Sequence, residues 1–177
     1  MKKTLMVIGF IVMVCLLAVW PNSARAQGGF EAVTGDAFTR AVPGDFYLEG
    51  NRIPVDKRNA ALLKNAKGAR VVVALILTAG YSSQIKQKYI GMLITETNIS
   101  VCGNAVGVGS YGFGLERPAA TSNADAPFRI YNQAGEKVGE CAAKNDNSVK
   151  QPKPLTVTTD IAGPTKLYLG RYVIEIN

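Results

Sequence analysis

The sequence has 177 residues, yet it contains no histidine and only one tryptophan. The absence of histidine excludes a Ser-His-Asp triad, a Cys-His catalytic pair, a histidine-rich zinc site and a haem held by histidine. Apolar residues make up 47 % of the chain and charged residues 19 %, which is typical of a globular protein. The length suits a single domain. These absences favour a binding or structural protein over an enzyme.

The first 26 residues have the order of a secretory signal peptide. Lys2 and Lys3 form a basic start, and Leu5–Trp20 follows as a run of 16 residues without charge. A site of mostly small residues, Ala24-Arg25-Ala26, comes next, so we predict cleavage after Ala26. The run is shorter than the roughly 20 residues that a membrane-spanning helix needs. The sequence therefore predicts an exported protein, periplasmic or extracellular, with no stable membrane span after cleavage.

Removing this segment changes both the charge and the cysteine count. Without Lys2, Lys3 and Arg25 the chain keeps 17 basic and 13 acidic residues, and the net charge falls from +7 to +4. Two cysteines remain, Cys102 and Cys141, and a pair of cysteines in an oxidising compartment favours a disulfide. The alternative is two unrelated buried thiols.

The remaining chain has a loosely patterned start and a body rich in predicted strands. Residues 27–45 contain four glycines and no regular apolar period, so we predict an extended N-terminal arm. Residues 46–177 form the predicted β-rich domain. Its densest apolar run, Val71–Leu77, predicts a central strand covered on both faces. Because no long helical pattern separates the strands, we predict a mainly β fold: one antiparallel β-sandwich or β-barrel with at most one or two short helices.

Further strands are predicted at Phe46–Glu49 and Lys88–Thr97. Two hairpins also stand out. One joins residues 128–131 to residues 137–141, and the other joins residues 155–158 to a long last strand over residues 166–176. In that last strand the positions of the apolar residues shift at Gly170, which predicts a β-bulge there.

Residues 56–67 have an ambiguous pattern. Asp56 is a good helix cap, Lys64 and Lys67 suit a last turn, and Gly68 suits the position after a helix. The alternative is a strand that turns through residues 65–68 into the valine-rich run. Tertiary context outweighs propensity, so we favour the hairpin.

A glycine-rich segment extends from Gly103 to Gly114. Part of it spells the dinucleotide-binding fingerprint, but no helix pattern follows, and the fingerprint works only where a strand turns into a helix. We therefore predict a curved strand. Tyr111 and Phe113 lie on one face of it and form a candidate face for a ligand or partner. The more common role for such aromatic residues is in the core.

The basic residues are concentrated in one part of the chain. From residue 52 to residue 88 there are eight bases and one acid. Such a segment can bind an anionic surface, and it can equally be a solvated face that flanks an apolar strand. The candidate anion-binding residues are Arg52, Lys57, Arg58, Lys64, Lys67, Arg70, Lys86 and Lys88.

The sequence contains no pattern that predicts catalysis, a cofactor or a metal site. The loop Asn145–Ser148 has several oxygens but one carboxylate, which is too little to predict calcium binding. The aromatic residues are not interleaved with the basic ones, so nucleic-acid binding is not expected either. Six tyrosines could form a platform that stacks on a sugar or could line a cavity, although the mature chain lacks tryptophan for stacking and such residues are more often part of the core. They are Tyr81, Tyr89, Tyr111, Tyr131, Tyr168 and Tyr172.

Three hypotheses about function remain. The first is an exported, non-catalytic β-domain that binds a macromolecule or a cell-envelope component, either another envelope or secreted protein or an anionic envelope polymer. The second is a β-barrel or β-sandwich with an apolar cavity for a small ligand. The third is a structural subunit that oligomerises by strand exchange through the arm at residues 27–45.

Overall fold

The computed structural model describes residues 29–119, 122–160 and 163–177, so the predicted signal peptide lies outside the described residues. Strands make up 52 % and helices 9 % of these residues, which confirms the mainly β fold class. In chain order the elements are β1 Glu31–Val33, α1 Gly35–Ala41, β2 Asp45–Leu48, β3 Asn51–Lys64, β4 Arg70–Ile76, α2 Ser83–Lys88, β5 Gly91–Thr95, β6 Ile99–Val101, β7 Asn104–Val106, β8 Gly109–Leu115, β9 Ala126–Asn132, β10 Lys137–Asn145, β11 Thr156–Thr158, β12 Thr165–Leu169 and β13 Tyr172–Ile176.

The strands form one antiparallel sheet that nearly closes into a barrel. Its order is β1-β3-β4-β5-β8-β9-β10-β13-β12-β11, with β2 added to β3 and with β7 joined to β13 through β6. The last strand of this order, β11, contacts the second strand, β3, and this contact nearly closes the barrel. Four pairs of neighbours in this order are joined by short connections, namely β3–β4, β9–β10, β11–β12 and β12–β13.

Strand β4 separates two apolar cores, one inside the barrel and one outside it. Val71 and Val73 pack into the inner core, whereas Val72 and Ala74 pack into the outer core, because successive side chains of a strand point to opposite faces. The prediction of a central strand covered on both faces is therefore confirmed. The inner core is filled by side chains from most of the strands, among them Leu63, Leu93, Phe113, Phe128, Ile130, Leu167, Leu169, Ile174 and Ile176.

The outer core lies beneath the β2–β3 hairpin and helix α2. Leu48 and Ile53 from the hairpin pack with Ile85 and Tyr89 at the helix, against the outward face of β4 and β5. Ser82 caps the helix, since its hydroxyl oxygen accepts a hydrogen bond of 3.3 Å from the amide of Ile85. Lys88 is the last residue of the helix. The strand that was predicted to begin at Lys88 therefore begins later, at Gly91.

The ambiguous segment is a strand, as the hairpin interpretation predicted. Residues 65–68 turn β3 into β4, and the side-chain oxygen of Asn65 accepts hydrogen bonds of 3.0 Å from the amides of Lys67 and Ala69. Gly68 has the left-handed φ of 85° that a tight turn needs. Between Asp56 and Ala60 the register of β3 shifts, which bends this long strand around the barrel.

The predicted N-terminal arm is docked on the barrel and is only partly extended. Strand β1 pairs with β3 of the same chain, with Glu31 opposite Lys64. The next residues form helix α1, where extended chain was expected. Asp36 in the first turn and Arg40 in the last turn suit the helix dipole, and these local signals were missed because the segment is short.

The end of the chain forms two hairpins, and the prediction of a bulge at Gly170 is wrong. Strand β11 pairs with β12, as predicted, but the chain then reverses at Gly170 and Arg171 so that Leu169 faces Tyr172 across the β12–β13 hairpin. Gly170 has a left-handed φ of 72° at the first central position of this turn, where glycine is favoured. A turn and a bulge shift the apolar positions in the same way, which explains the error.

The two cysteines of the described residues are joined. The Cα atoms of Cys102 and Cys141 are 6.1 Å apart and the pair forms a disulfide, as predicted. It links the turn between β6 and β7 to β10, and so ties these two short strands to the long strand β10. The predicted hairpin of residues 128–131 and 137–141 is confirmed as β9 and β10.

Candidate functional site

The basic residues predicted to bind anions do not form one uncompensated surface. Five of the eight are in ion pairs with acids that come from other parts of the fold or from the same turn. The pairs are Arg52 with Asp45, Arg58 with Asp56, Lys64 with Glu31, Arg70 with Glu96, and Lys88 with Glu49.

Three of the eight, Lys57, Lys67 and Lys86, have no ion pair within the described residues. They are spread over the fold: Lys57 lies in the register shift of β3, Lys67 in the β3–β4 turn and Lys86 on α2. The acids that neutralise this segment come mostly from residues 31–49 and from Glu96, which a local count of charges leaves out.

The predicted aromatic face is on the inside of the barrel. Tyr111 and Phe113 do share a face of β8, but Phe113 is 1 % exposed and packs in the inner core beside Phe128, with ring centroids 5.4 Å apart. Tyr111 is half-buried against the same core, and its hydroxyl donates a hydrogen bond of 3.1 Å to the carbonyl of Gly107. These two residues fill the barrel rather than line an open site.

A polar cluster joins the β2–β3 turn, helix α2 and the β9–β10 turn. The Glu49 carboxylate accepts hydrogen bonds of 2.5 Å from Lys88 and 2.6 Å from the hydroxyl of Tyr89. The Lys88 ammonium also donates a hydrogen bond of 2.6 Å to the carbonyl of Gly135 and lies 4.8 Å from the ring centroid of Tyr131. The rings of Tyr89 and Tyr131 meet edge to face at 5.3 Å.

This cluster holds its charges in a fixed and satisfied arrangement. The hydrogen bond from Lys88 lowers the pKa of Glu49, and burial together with the bond to Glu49 raises the pKa of Tyr89 above its usual value. The side chains of Glu49 and Lys88 are each 22 % exposed, and Tyr89 is fully buried. Because each polar group already has its partner inside the protein, we interpret the cluster as a structural link between three segments.

A cleft of about 410 Å³ lies at one end of the barrel, beside the β12–β13 turn. Two backbone hydrogen bonds shape it. The amide of Gly170 donates to the carbonyl of Lys153 at 3.0 Å, and the amide of Asp146 donates to the carbonyl of Arg171 at 2.9 Å. The turn, the chain before β11 and the end of β10 are thereby held side by side. A glycine at residue 170 is required because the turn places it at a left-handed φ.

Three basic side chains line this cleft, and no acidic side chain does so within the described residues. They are Arg117, Lys153 and Arg171, all of them exposed and without an ion pair in the described part of the chain. The cleft is therefore a place where positive charge converges without compensation.

The acids closest in sequence to the cleft are already engaged elsewhere. Glu116 is bonded to Arg129 at 2.8 Å, and Asp125 is bonded to Lys144 at 2.7 Å. The carboxylate of Asp146 accepts hydrogen bonds from the amide and the hydroxyl of Ser148, and these bonds lower its pKa. Because these three acids have partners of their own, none of them forms an ion pair with a cationic side chain of the cleft.

Two further residues give the cleft a polar and an aromatic wall. Asn145 and Tyr172 both line it and face each other across the β10–β13 pairing. The side-chain oxygen of Asn145 is buried and has no hydrogen-bond partner within the described residues. A buried acceptor without a partner costs free energy, so this oxygen is an unfavourable feature of the fold beside the cleft.

The residues of this cleft were not predicted from the sequence. Arg117, Asn145, Lys153 and Arg171 are far apart in the chain, and residues 97–177 have nearly balanced charge. No local spacing brings them together. The one usable signal is the Gly170-Arg171 pair, which is typical of a hairpin turn and places a base at its tip.

No protein-family model matches this chain, and no curated protein and no solved structure is significantly similar to it. Within the described residues, no helix is both long and apolar enough to cross a membrane. The class of protein is therefore defined by the fold and the cleft: an antiparallel, barrel-like β-domain with an internal disulfide and a basic cleft at one end.

Proposed function

We propose that this chain is an exported, non-catalytic β-barrel domain that binds an anionic macromolecule of the periplasm, the cell envelope or the extracellular space. The observation that carries the proposal is the cleft at the β12–β13 turn, which Arg117, Lys153 and Arg171 line and which no acidic side chain lines among the described residues. Arginine presents a planar fork of donors that fits carboxylate, phosphate and sulfate groups. Export is supported by the signal-peptide pattern at residues 1–26 and by the disulfide.

The structure favours this proposal over the two other hypotheses from the sequence. A small-ligand cavity inside the barrel has little support, because large side chains such as Phe113, Phe128 and Leu169 pack against one another in the inner core. Strand exchange through the arm also has little support, since β1 already pairs with β3 of its own chain. The basic cleft, in contrast, is open to solvent.

The proposal is tested by removing the charge of the cleft. We expect the triple variant Arg117→Gln, Lys153→Gln, Arg171→Gln to elute from a heparin column at much lower salt than the wild-type mature protein. Counterions are released from the polymer when the bases of the protein neutralise its anionic groups. With three bases removed, fewer counterions are released on binding, so the affinity falls and its dependence on salt becomes shallower.

A matched control removes the same amount of charge from residues 52–88, the segment that the sequence indicated as a candidate anion-binding surface. The triple variant Lys57→Gln, Lys67→Gln, Lys86→Gln changes three bases that likewise lack ion pairs. We expect it to elute close to the wild type. An equal loss in both variants would mean that net charge alone governs binding, and a loss confined to the control would place binding on the segment from residue 52 to residue 88. Either result contradicts the proposal.

A further inference from the structure

We infer that this protein forms a dimer in which the free edge of strand β2 pairs, antiparallel, with the same edge of a second copy. The inference goes beyond the proposed function and does not depend on it. The basic cleft lies where β10 ends, at Asn145. The β2–β3 turn lies at the other end of β10, where the amide of Glu49 donates a hydrogen bond to the carbonyl of Gln133 in the turn that precedes β10. The proposed contact is therefore separate from the cleft.

The backbone of β2 has one paired edge and one unpaired edge. The two residues that turn β2 into β3 have left-handed φ values of 49° and 74°, which is typical of a tight hairpin turn. Leu48 and Asn51 flank this turn as a hydrogen-bonded pair, and hydrogen-bonded and non-hydrogen-bonded pairs alternate from there along the strands. The backbone groups of Asp45 and Tyr47 therefore point away from β3.

Two backbone contacts at the far end of the hairpin agree with this alternation. The amide of Val55 donates a hydrogen bond of 2.9 Å to the carbonyl of Gly44, so the hydrogen-bonded pairs occur at every second position. Pro54, the residue opposite Asp45, directs its carbonyl to the other side of β3, where the carbonyl accepts a hydrogen bond of 2.8 Å from the amide of Leu77. Asp45 and Pro54 are thus a non-hydrogen-bonded pair.

The outer edge of β2 is open within the described residues. Strand β2 pairs with β3 alone, and the backbone groups of Asp45 and Tyr47 have no hydrogen-bond partner in the described part of the chain. The side chain of Tyr47 is 55 % exposed. An unpaired edge that carries a large exposed aromatic residue is a template for another strand.

Two other edge strands are covered by neighbours. Strand β7 lies against β10, where the side chain of Asn104 donates a hydrogen bond of 3.2 Å to the carbonyl of Glu140 and the disulfide joins the two segments. Strand β11 lies against β3. Compared with these two strands, β2 offers an edge that a second chain can reach.

The edge of β2 is complementary to itself. Its outward-pointing residues are two positions apart, so an antiparallel second copy places Asp45 of each chain opposite Tyr47 of the other, and each of these two pairs exchanges both of its backbone hydrogen bonds. Arg52 lies beside Tyr47 on β3, so a base of one chain approaches the carboxylate of Asp45 of the other chain. Charges of opposite sign meet across the interface and like charges are not opposed, which favours a second copy as the partner.

Sedimentation equilibrium of the mature protein tests the dimer. We expect the weight-average mass to rise toward twice the monomer mass between micromolar and near-millimolar protein, since a contact through a strand of 4 residues is small. Tyr47→Pro removes an outward-pointing amide that β3 does not use, so this variant should keep its fold and remain a monomer at every concentration. Leu77→Ser is the control, because it removes an exposed apolar side chain on the other side of β3, and it should associate like the wild type.

Three results would overturn the inference. The first is a wild type that is monomeric at every concentration, which would leave the edge to a different partner or to solvent. The second is a Tyr47→Pro variant that associates as strongly as the wild type. The third is a loss of association in Leu77→Ser, which would place the contact on the opposite side of the hairpin.

A second measurement needs no variant. Hydrogen exchange of the wild type, followed by nuclear magnetic resonance, compares the amides of β2 at low and at high protein concentration. We expect exchange to slow at Asp45 and Tyr47 as the concentration rises, while the amides of Phe46 and Leu48, which point toward β3, keep their rates. Exchange at Asp45 and Tyr47 that does not depend on concentration would contradict pairing through this edge.

Discussion

Glu49 shows how much of this fold depends on single polar residues. Its carboxylate accepts hydrogen bonds from both Lys88 and Tyr89, and its backbone amide donates a hydrogen bond of 2.8 Å to the carbonyl of Gln133. It does so from a turn position with a left-handed φ of 49°, which is uncommon for a residue other than glycine. One residue thus connects the β2–β3 turn to α2 and to the β9–β10 turn.

The acid sensitivity of the fold is predicted to depend on this residue. Lys88 lowers the pKa of Glu49 in the folded state, so the stabilisation is complete above the ordinary value of 4.5 and is lost as pH falls through the lowered pKa. At pH 7 we expect Glu49→Gln to lower the free energy of unfolding by about 1 to 2 kcal/mol, because charge-assisted hydrogen bonds become neutral ones.

Urea denaturation at pH 7 and at pH 2 measures this effect. The difference between the wild type and Glu49→Gln should be smaller at pH 2 than at pH 7, because the wild type loses the charge of Glu49 as pH falls through its lowered pKa. Glu175→Gln is the matched control, since Glu175 is exposed and has no ion pair within the described residues. A difference that is the same at both pH values would contradict the role assigned to the charge of Glu49.

At the scale of elements, the glycines of β8 determine how the helix α2 packs on the barrel. A methyl group on Gly112 would lie 2.8 Å from the ring of Tyr89, and one on Gly114 would overlap the backbone carbonyl of Lys88. The sequence predicted a curved, glycine-rich strand here. It did not predict that the end of α2 approaches this strand, because the approach depends on the outer core and not on the pattern of the strand itself.

Replacing one of these glycines is expected to loosen the helix. We predict that Gly114→Ala lowers the free energy of unfolding by about 1–3 kcal/mol, since the added methyl group must displace backbone. Gly107→Ala is the control, because its nearest neighbours are 3.8 Å away and its φ is not left-handed, so a change within about 0.5 kcal/mol is expected. Thermal or urea denaturation of both variants checks this pair. Equal losses would show that the close contact with Lys88 is not what requires glycine.

Elements with a strong local pattern were predicted well from the sequence. The valine-rich β4, the β9–β10 hairpin and the choice of strand over helix for residues 56–67 follow from apolar alternation and turn residues. Short elements were predicted poorly. Helix α1 has 7 residues and α2 has 6, and such helices are stabilised mainly by what they pack against. The turn at Gly170 was mistaken for a bulge because both shift the apolar positions.

At the scale of the whole molecule, the order of the strands creates the candidate site. The order of strands brings the end of β10, the β12–β13 turn and the chain before β11 to the same end of the barrel. Arg117, Lys153 and Arg171 meet there, although no short-range pattern connects them. The sequence indicated basic binding residues from 52 to 88 because they are close in the chain, and the fold pairs most of those with acids.

Binding of anions at this cleft is tested by a titration with inorganic phosphate followed by nuclear magnetic resonance. As phosphate is added to the mature protein, we expect the backbone amide signals of Lys153, Gly170, Arg171 and Tyr172 to shift and to reach saturation. The signals of Lys67 in the β3–β4 turn should stay in place. Shifts centred on that turn, or no saturable shift at the cleft, would contradict the binding of anions at the cleft.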